Sequence, residues 1–206
     1  VSAMPSILYN GLGFLVNQNW NFGNSYGDQT VVHNGVVAPL GASYGVLPFL
    51  VGTLLSSLIA FVIGVPVAVG AALILSEKIP TPLRRVLSFF LELLAGIPSV
   101  VYGLWGLIIL APFLANHVYP SIAKTGAVIP WLGSPVGSGL GLLTSGMVLA
   151  VMIIPIVAST TRDLLAQVPA LQTEGAVALG LTSWESARLI SLPWISSGVI
   201  GAAMLG

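Results

Sequence analysis

Charge is what this sequence has least of. Six Lys/Arg and six Asp/Glu side chains make up 6% of 206 residues, where a soluble domain carries about 25%. With a mean hydropathy of +1.00, this excludes an ordinary water-soluble domain and points to an integral membrane protein. The formal net charge is zero, so no basic surface points to nucleic acid as a partner. Cysteine is absent, which excludes disulfides and thiolate metal sites. His33 and His117 stand far apart, so no metal site is expected and little material is left for a Ser–His–Asp arrangement. No G-x-x-x-x-G-K-[ST] run occurs, so the chain has no P-loop for ATP. No catalytic residue and no cofactor are therefore expected in the chain itself.

What the sequence does have is long apolar runs. Leu47–Leu75 carries no charge and is long enough to cross a bilayer with tilt. A second run, Val86–Leu114, holds one charge, Glu92. A third covers Gly139–Ser159, and a fourth opens at Trp194 and stops at Gly206, short of the roughly 20 residues a span needs. The chain also starts at Val1 rather than at Met, so it is expected to be a segment of a longer polypeptide. The fold class is all-α, a polytopic helical membrane protein. Residues 1–46 are expected to form an extracytoplasmic segment and residues 47–206 a transmembrane domain.

The basic residues set a direction. Lys78, Arg84 and Arg85 fall in the interval Ser76–Arg85, and Arg162 and Arg188 in Thr160–Pro193. Only Lys124 falls on the other side, which comprises Val1–Val46 and Ala115–Ser138. The richer side is expected to be cytoplasmic. In the first run Gly52, Ser56, Ala60, Gly64, Ala68, Ala72 and Ser76 recur every fourth residue. Such a ridge lets helix backbones approach closely, either within the subunit or against a partner. Pro66 and Pro155 are expected to kink their helices. Asn17–Gly45 reads as an irregular outer segment with turns. Its Trp20, Phe22 and Tyr26 suit the headgroup level.

One polar stretch interrupts the apolar pattern: EGAVALGLTSWESARLISLP, Glu174–Pro193. Pro169 suits the first turn of a short helix running to about Ala178. Gly180 sits where a C-terminal cap needs a positive φ. Thr182 precedes Glu185 by three, a capping box that opens a second short helix, which Leu192–Pro193 is expected to end. Leu171, Ala178, Leu179, Leu181 and Trp184 give this helix–bend–helix an apolar surface. That surface suits either docking or contact with the membrane face.

The spacing resembles the coupling loop of bacterial ABC importers, E-A-A-x3-G-x9-I-x-L-P. Glu174, Ala176, Gly180, Ile190, Leu192 and Pro193 match it, and Gly175 replaces the second alanine. A second segment, ELLAGIPSVVYGLWGL (Glu92–Leu107), resembles the phosphate-importer permeases, as do GLGFLVNQNW and GTLLSSLIAFVIGVPVAVGAALILSE. Within that family the tryptophan-containing outer segment and PSVVYGLWG are closer to the PstC type than to PstA. The resemblance covers most of the chain and implies a type I ABC-importer permease fold in the bacterial cytoplasmic (inner) membrane. It implies as partners a PstA-like second permease, an ATPase dimer that binds ATP and Mg, and an extracytoplasmic phosphate-binding protein, besides membrane lipid. It implies coupling to the ATPase through Glu174, Ala176, Gly180, Trp184, Leu192 and Pro193. The family's Arg- and Glu-containing motif falls beyond Gly206.

Gly96–Ser99 interrupts an apolar helix, because Pro98 removes a backbone donor. Broken helices in transporters can turn freed N–H groups toward an anion. Pro98, with the hydroxyls of Ser99 and Tyr102, is therefore a candidate for the substrate path, the alternative being an ordinary proline kink. Glu92 lies on the order of 9 Å into its run at 1.5 Å per residue. A carboxylate there repels an anion and needs a cationic partner, so Glu92 is expected to be a charge-paired support. Competing readings are a permease for sulfate or molybdate, and a channel or membrane anchor outside the ABC class.

Overall fold

A computed structural model describes residues 4–24, 26–77, 79–124 and 137–205. Lys78 and residues 125–136 of the expected second outer loop lie outside the described residues. The chain divides into two compact units, Val1–Leu55 and Ser56–Gly206.

The first unit is less irregular than its composition suggests. It opens with two short helices, α1 (Met4–Asn10) and α2 (Gly13–Val16). Strands β2 (Thr30–His33) and β3 (Val36–Pro39) pair antiparallel, with His33 opposite Val36. The two-residue turn is Asn34–Gly35, with φ of 52° and 77°. This is the Asn-Gly hairpin signal, whose positive φ values match the strand twist. Strands β1 (Trp20–Asn21) and β4 (Ser43–Tyr44) form a second pair. Trp20 packs edge-on against Tyr44 and Phe49, with centroids 5.6 and 5.3 Å apart. Its ring is therefore held in an aromatic cluster, whereas Tyr26 stands exposed.

Four helical segments are long and apolar enough to cross a membrane: Leu47–Ser76, Ser99–Ile122, Leu142–Leu165 and Ser183–Leu205. They differ from the apolar runs in instructive ways. Helix α3 (Leu47–Glu77) passes through Pro66 without a break. The second run splits. Val86–Ala95 belongs to a separate helix, α4 (Thr81–Ala95), and the spanning segment starts at Ser99 with α5 (Ser99–Trp105). Arg84 and Arg85 are thus residues of α4 rather than of a loop. A π-helical turn, Gly106–Leu110, joins α5 to α6 (Ala111–His117), followed by α7 (Tyr119–Lys124). The third span, α8 (Leu142–Leu165), continues past Ser159 and through Pro155. Ser159 and Thr160 donate their hydroxyls back to the Ile156 carbonyl, at 3.0 and 2.9 Å. Polar residues satisfied in this way need not end a helix.

In the second unit large side chains face out and small ones face in. The core gathers Ala60, Ala68, Ala150, Ile153, Val157, Ala158 and Ala203. Val62, Val67, Phe90, Ile108 and Ile200 are exposed. This inversion suits lipid, where close backbone packing replaces hydrophobic burial as the drive to association. The small ridge on α3 meets α8: a Cβ on Gly64 would lie 2.9 Å from Ile153 Cδ1 and 3.2 Å from the Ala150 carbonyl. Of the two roles open to the ridge, packing within the subunit is the one observed at Gly64.

Candidate functional site

The helix–bend–helix forms as its spacing predicts. Pro169, in extended geometry, precedes α9 (Ala170–Ala178). At the other end Gly180 adopts φ +81°. Its N–H donates to Val177 O at 2.9 Å, and Leu181 N–H donates to Ala176 O at 3.1 Å. These two bonds make a Schellman cap, which satisfies carbonyls that α9 would otherwise leave open. A Cβ at Gly180 would meet nothing within 4 Å, so the requirement for glycine here is conformational, not steric. Thr182 then caps α10 (Ser183–Ser186): its hydroxyl accepts from Glu185 N–H, and Glu185 Oε2 accepts from Thr182 N–H at 2.8 Å. Two orphan donors are satisfied reciprocally.

One expectation fails. Leu192–Pro193 does not end the second helix. From α10 the chain passes through a π turn, Ala187–Ser191, into α11 (Leu192–Leu205) without a break. Leu192 N–H reaches Ala187 O, five residues back. The same arrangement occurs at Gly106–Leu110, where Ala111 N–H reaches Gly106 O and Pro112 follows. A proline ring collides with the carbonyl four residues before it, here Leu189 or Ile108. A widened turn just ahead of the proline relieves that collision, so the helix continues. The polar interval therefore shrinks from Thr160–Pro193 to the residues between Leu165 and α11.

The expected coupling residues separate by exposure. Glu174, Gly180, Trp184 and Pro193 are exposed, Leu192 is half-buried and Ala176 is buried. Leu171, Val177, Leu179 and Trp184 form an apolar exposed surface on α9, the bend and α10. Ala176 faces inward and supplies the carbonyl that closes the cap. Its role is to hold the bend.

The break at Gly96–Pro98 is built differently. Gly96 has an ordinary helical φ of −81°, and extended Pro98 caps α5. Tyr102 donates its hydroxyl to Leu94 O at 2.8 Å, spanning the break. That proton is committed to a carbonyl freed at the end of α4, so in this state Tyr102 serves the break itself. Ser99 and Pro98 are exposed.

Glu92 does find a cation in this chain, from the interval Thr160–Pro193. Arg162, in the last turn of α8, donates from Nη2 to Glu92 Oε1 at 3.0 Å and to Asp163 Oδ1 at 2.7 Å. The pair is not the buried one expected from depth along the run. Arg162 is 18% exposed, but Glu92 is 59% exposed. The reason is the break: α4 is a separate helix, so counting residues from Val86 does not measure depth. Nothing local in the sequence links residues seventy positions apart, and only the packing of α4 on α8 reveals the pair.

Among the described residues no group of three or more His, Asp or Glu could hold a metal ion. Residues 64–205 match the family described as binding-protein-dependent transport system inner membrane component. The phosphate transport system permease protein PstC 1 of Mycobacterium tuberculosis is 53% identical over all of this chain and 62% of its own length. PstC of Mesorhizobium japonicum is 40% identical over 95% of this chain and 55% of its own. PstC of Pasteurella multocida is 40% identical over 93% and 61%. The chain thus spans about three fifths of the length of these relatives. No solved structure matches it with significance. Four apolar helices of spanning length, a capped helix–bend–helix beyond the third of them and the match over residues 64–205 lead to one assignment: the chain is a multi-pass membrane protein belonging to the family of binding-protein-dependent transport system inner membrane components.

Proposed function

We propose that this chain is a permease subunit of an ATP-driven importer of inorganic phosphate in the bacterial cytoplasmic membrane. It is a transport subunit rather than an enzyme. ATP and Mg are held by a separate ATPase dimer, a PstA-like permease completes the pathway, and an extracytoplasmic binding protein delivers phosphate. The observation that carries this reading is the bend at Gly180. A Schellman cap and a capping box close the end of α9 and the start of the helix that runs from α10 into α11, and the exposed face of this bend carries Leu171, Val177, Leu179 and Trp184. A rigid apolar knob beside membrane spans fits docking onto another subunit. The names of the relatives support phosphate as the solute. Radiolabelled phosphate uptake by the assembled complex in proteoliposomes tests the assignment. Uptake resisting excess sulfate supports it, and uptake lost to sulfate or molybdate would transfer the chain to another anion.

Arg84, Arg85, Arg162 and Arg188 support an orientation with α9 and α10 on the cytoplasmic side. Cysteine introduced at Ser121 is expected to react with an impermeant thiol reagent on intact cells, and cysteine at Thr173 to react only after lysis. The opposite pattern would reverse the topology.

A further inference from the structure

Helix α4 leaves several large apolar side chains uncovered. Arg84, Ser88 and Glu92 share one face with Arg85 at its edge, and that face lines a cleft of about 650 Å³ against the last turn of α8. Val86, Phe90 and Leu93 lie on the opposite face and are half exposed, at 51–55%. Arg84 and Ser88 are half-buried, while Arg85 and Glu92 are exposed. A helix that leaves Val86, Phe90 and Leu93 uncovered suits contact with lipid. The cleft lies where α3 and α8 end and α4 begins.

Its charges are unevenly satisfied. Arg84 donates to the Ser76 and Ile79 carbonyls and so caps the end of α3. Arg162 is taken by Glu92 and Asp163. Arg85 makes no hydrogen bond or ion pair among the described residues, although it lines the same cleft. Among the described lining residues, three guanidinium groups against two carboxylates leave one positive charge, carried by Arg85. Phe89, also exposed, lines the cleft beside it.

We propose that this cleft binds the headgroup of an anionic phospholipid, its phosphodiester on Arg85 and an acyl chain along Phe89. Basic pockets between spanning helices on the cytoplasmic side suit such headgroups, and arginine suits phosphate geometry. The apolar wall separates the two sources of a phosphate group. A phosphodiester carries one negative charge, which matches the surplus of one, and brings acyl chains that the exposed Phe89 side chain can meet. Free phosphate at neutral pH is a mixture of monoanion and dianion and brings nothing to cover Phe89. Ser88 lies one turn from Arg85 on the same cleft wall and adds a hydroxyl donor. The inference rests on the orientation proposed above and is independent of which solute is carried.

The assembled transporter, purified in mild neutral detergent, is incubated with phosphatidylglycerol, phosphatidylcholine or inorganic phosphate, and retained ligand and thermal midpoint are measured. Wild type is expected to retain phosphatidylglycerol over phosphatidylcholine and to melt higher with it. Arg85→Gln is expected to lower retention about fivefold, the effect of one basic residue at a membrane surface, and Arg85→Lys to restore most of it. Equal retention by wild type and Arg85→Gln, or equal retention of the two lipids, overturns the proposal. A midpoint shift produced by inorganic phosphate and lost in Arg85→Gln assigns the cleft to the free ion and also overturns it. Should Arg85→Gln fail to assemble, a photoactivatable phosphatidylglycerol applied to wild type decides: label within residues 81–92 supports the site, and label confined to other segments contradicts it. Failure of phosphate uptake alone leaves these outcomes unchanged, so the two readings fail separately.

Discussion

The chain interrupts its helices at Gly96–Pro98 and at Leu179–Thr182 by opposite means. At the first, proline breaks the helix, Gly96 keeps a helical φ of −81°, and the Tyr102 hydroxyl stitches the two sides together. At the second, glycine makes the turn at φ +81°, and backbone groups together with one Thr–Glu pair close both ends. Both leave apolar side chains exposed, Leu93 and Leu104 at the first and Leu179 and Trp184 at the second. Only the second carries a cap on each side of its turn. A kink in a spanning helix needs only a missing donor. A bend that holds its angle needs both helix ends closed, and both are capped.

Substitutions can sharpen that contrast. The largest effect is expected at Gly180. Valine there faces no clash but must hold a left-handed conformation, a cost of about 1–2 kcal/mol, placed at the joint between α9 and α10. Assembly survives and coupling suffers. Tyr102→Phe comes next. It removes the bond to Leu94 O, worth about 0.5–1.5 kcal/mol, and is read as a lower thermal midpoint of the purified complex with uptake retained. If uptake collapses while the midpoint holds, the hydroxyl serves the solute and not the break. Glu92→Gln is expected to matter less. With Glu92 well exposed and Asp163 still on Arg162, the loss falls within about 0–1 kcal/mol for an exposed pair, and the yield of complex changes little. A Glu92→Gln complex that assembles but does not transport would put the carboxylate in the solute path. Gly96→Ala should be the mildest, since its φ is ordinary and its Cβ comes no closer than 3.4 Å to Leu93 O. A midpoint drop matching that of Gly180→Val would erase the distinction between the two interruptions.

Much of the bend was legible because its signals are local. Gly180, Thr182 and Glu185 each act within a few residues and behave as their spacing predicts, while Pro169 lies one residue ahead of α9 rather than in its first turn. The same local logic should have found the hairpin. TVVH and VVAP flank Asn34–Gly35, yet the polar setting led to an irregular reading. The continuation of α10 into α11 was not legible, because a proline preceded by a π turn does not end a helix, and no residue type marks such a turn. The depth of Glu92 was misjudged for a related reason: the apolar run Val86–Leu114 is continuous in composition but not in helix. The Arg162 pairing and the α4 cleft depend on packing between segments far apart in sequence. A one-dimensional pattern carries no signal for them.

The central claim is that the Gly180 bend transmits ATP hydrolysis to the spans. It is tested most directly by ATP hydrolysed per phosphate taken up in proteoliposomes, comparing wild type with Gly180→Val complexes of equal subunit content. The account predicts that the ratio rises severalfold for Gly180→Val, with hydrolysis continuing while uptake falls. An unchanged ratio at an unchanged uptake rate would show that the bend can lose its left-handed glycine without consequence, and would contradict it.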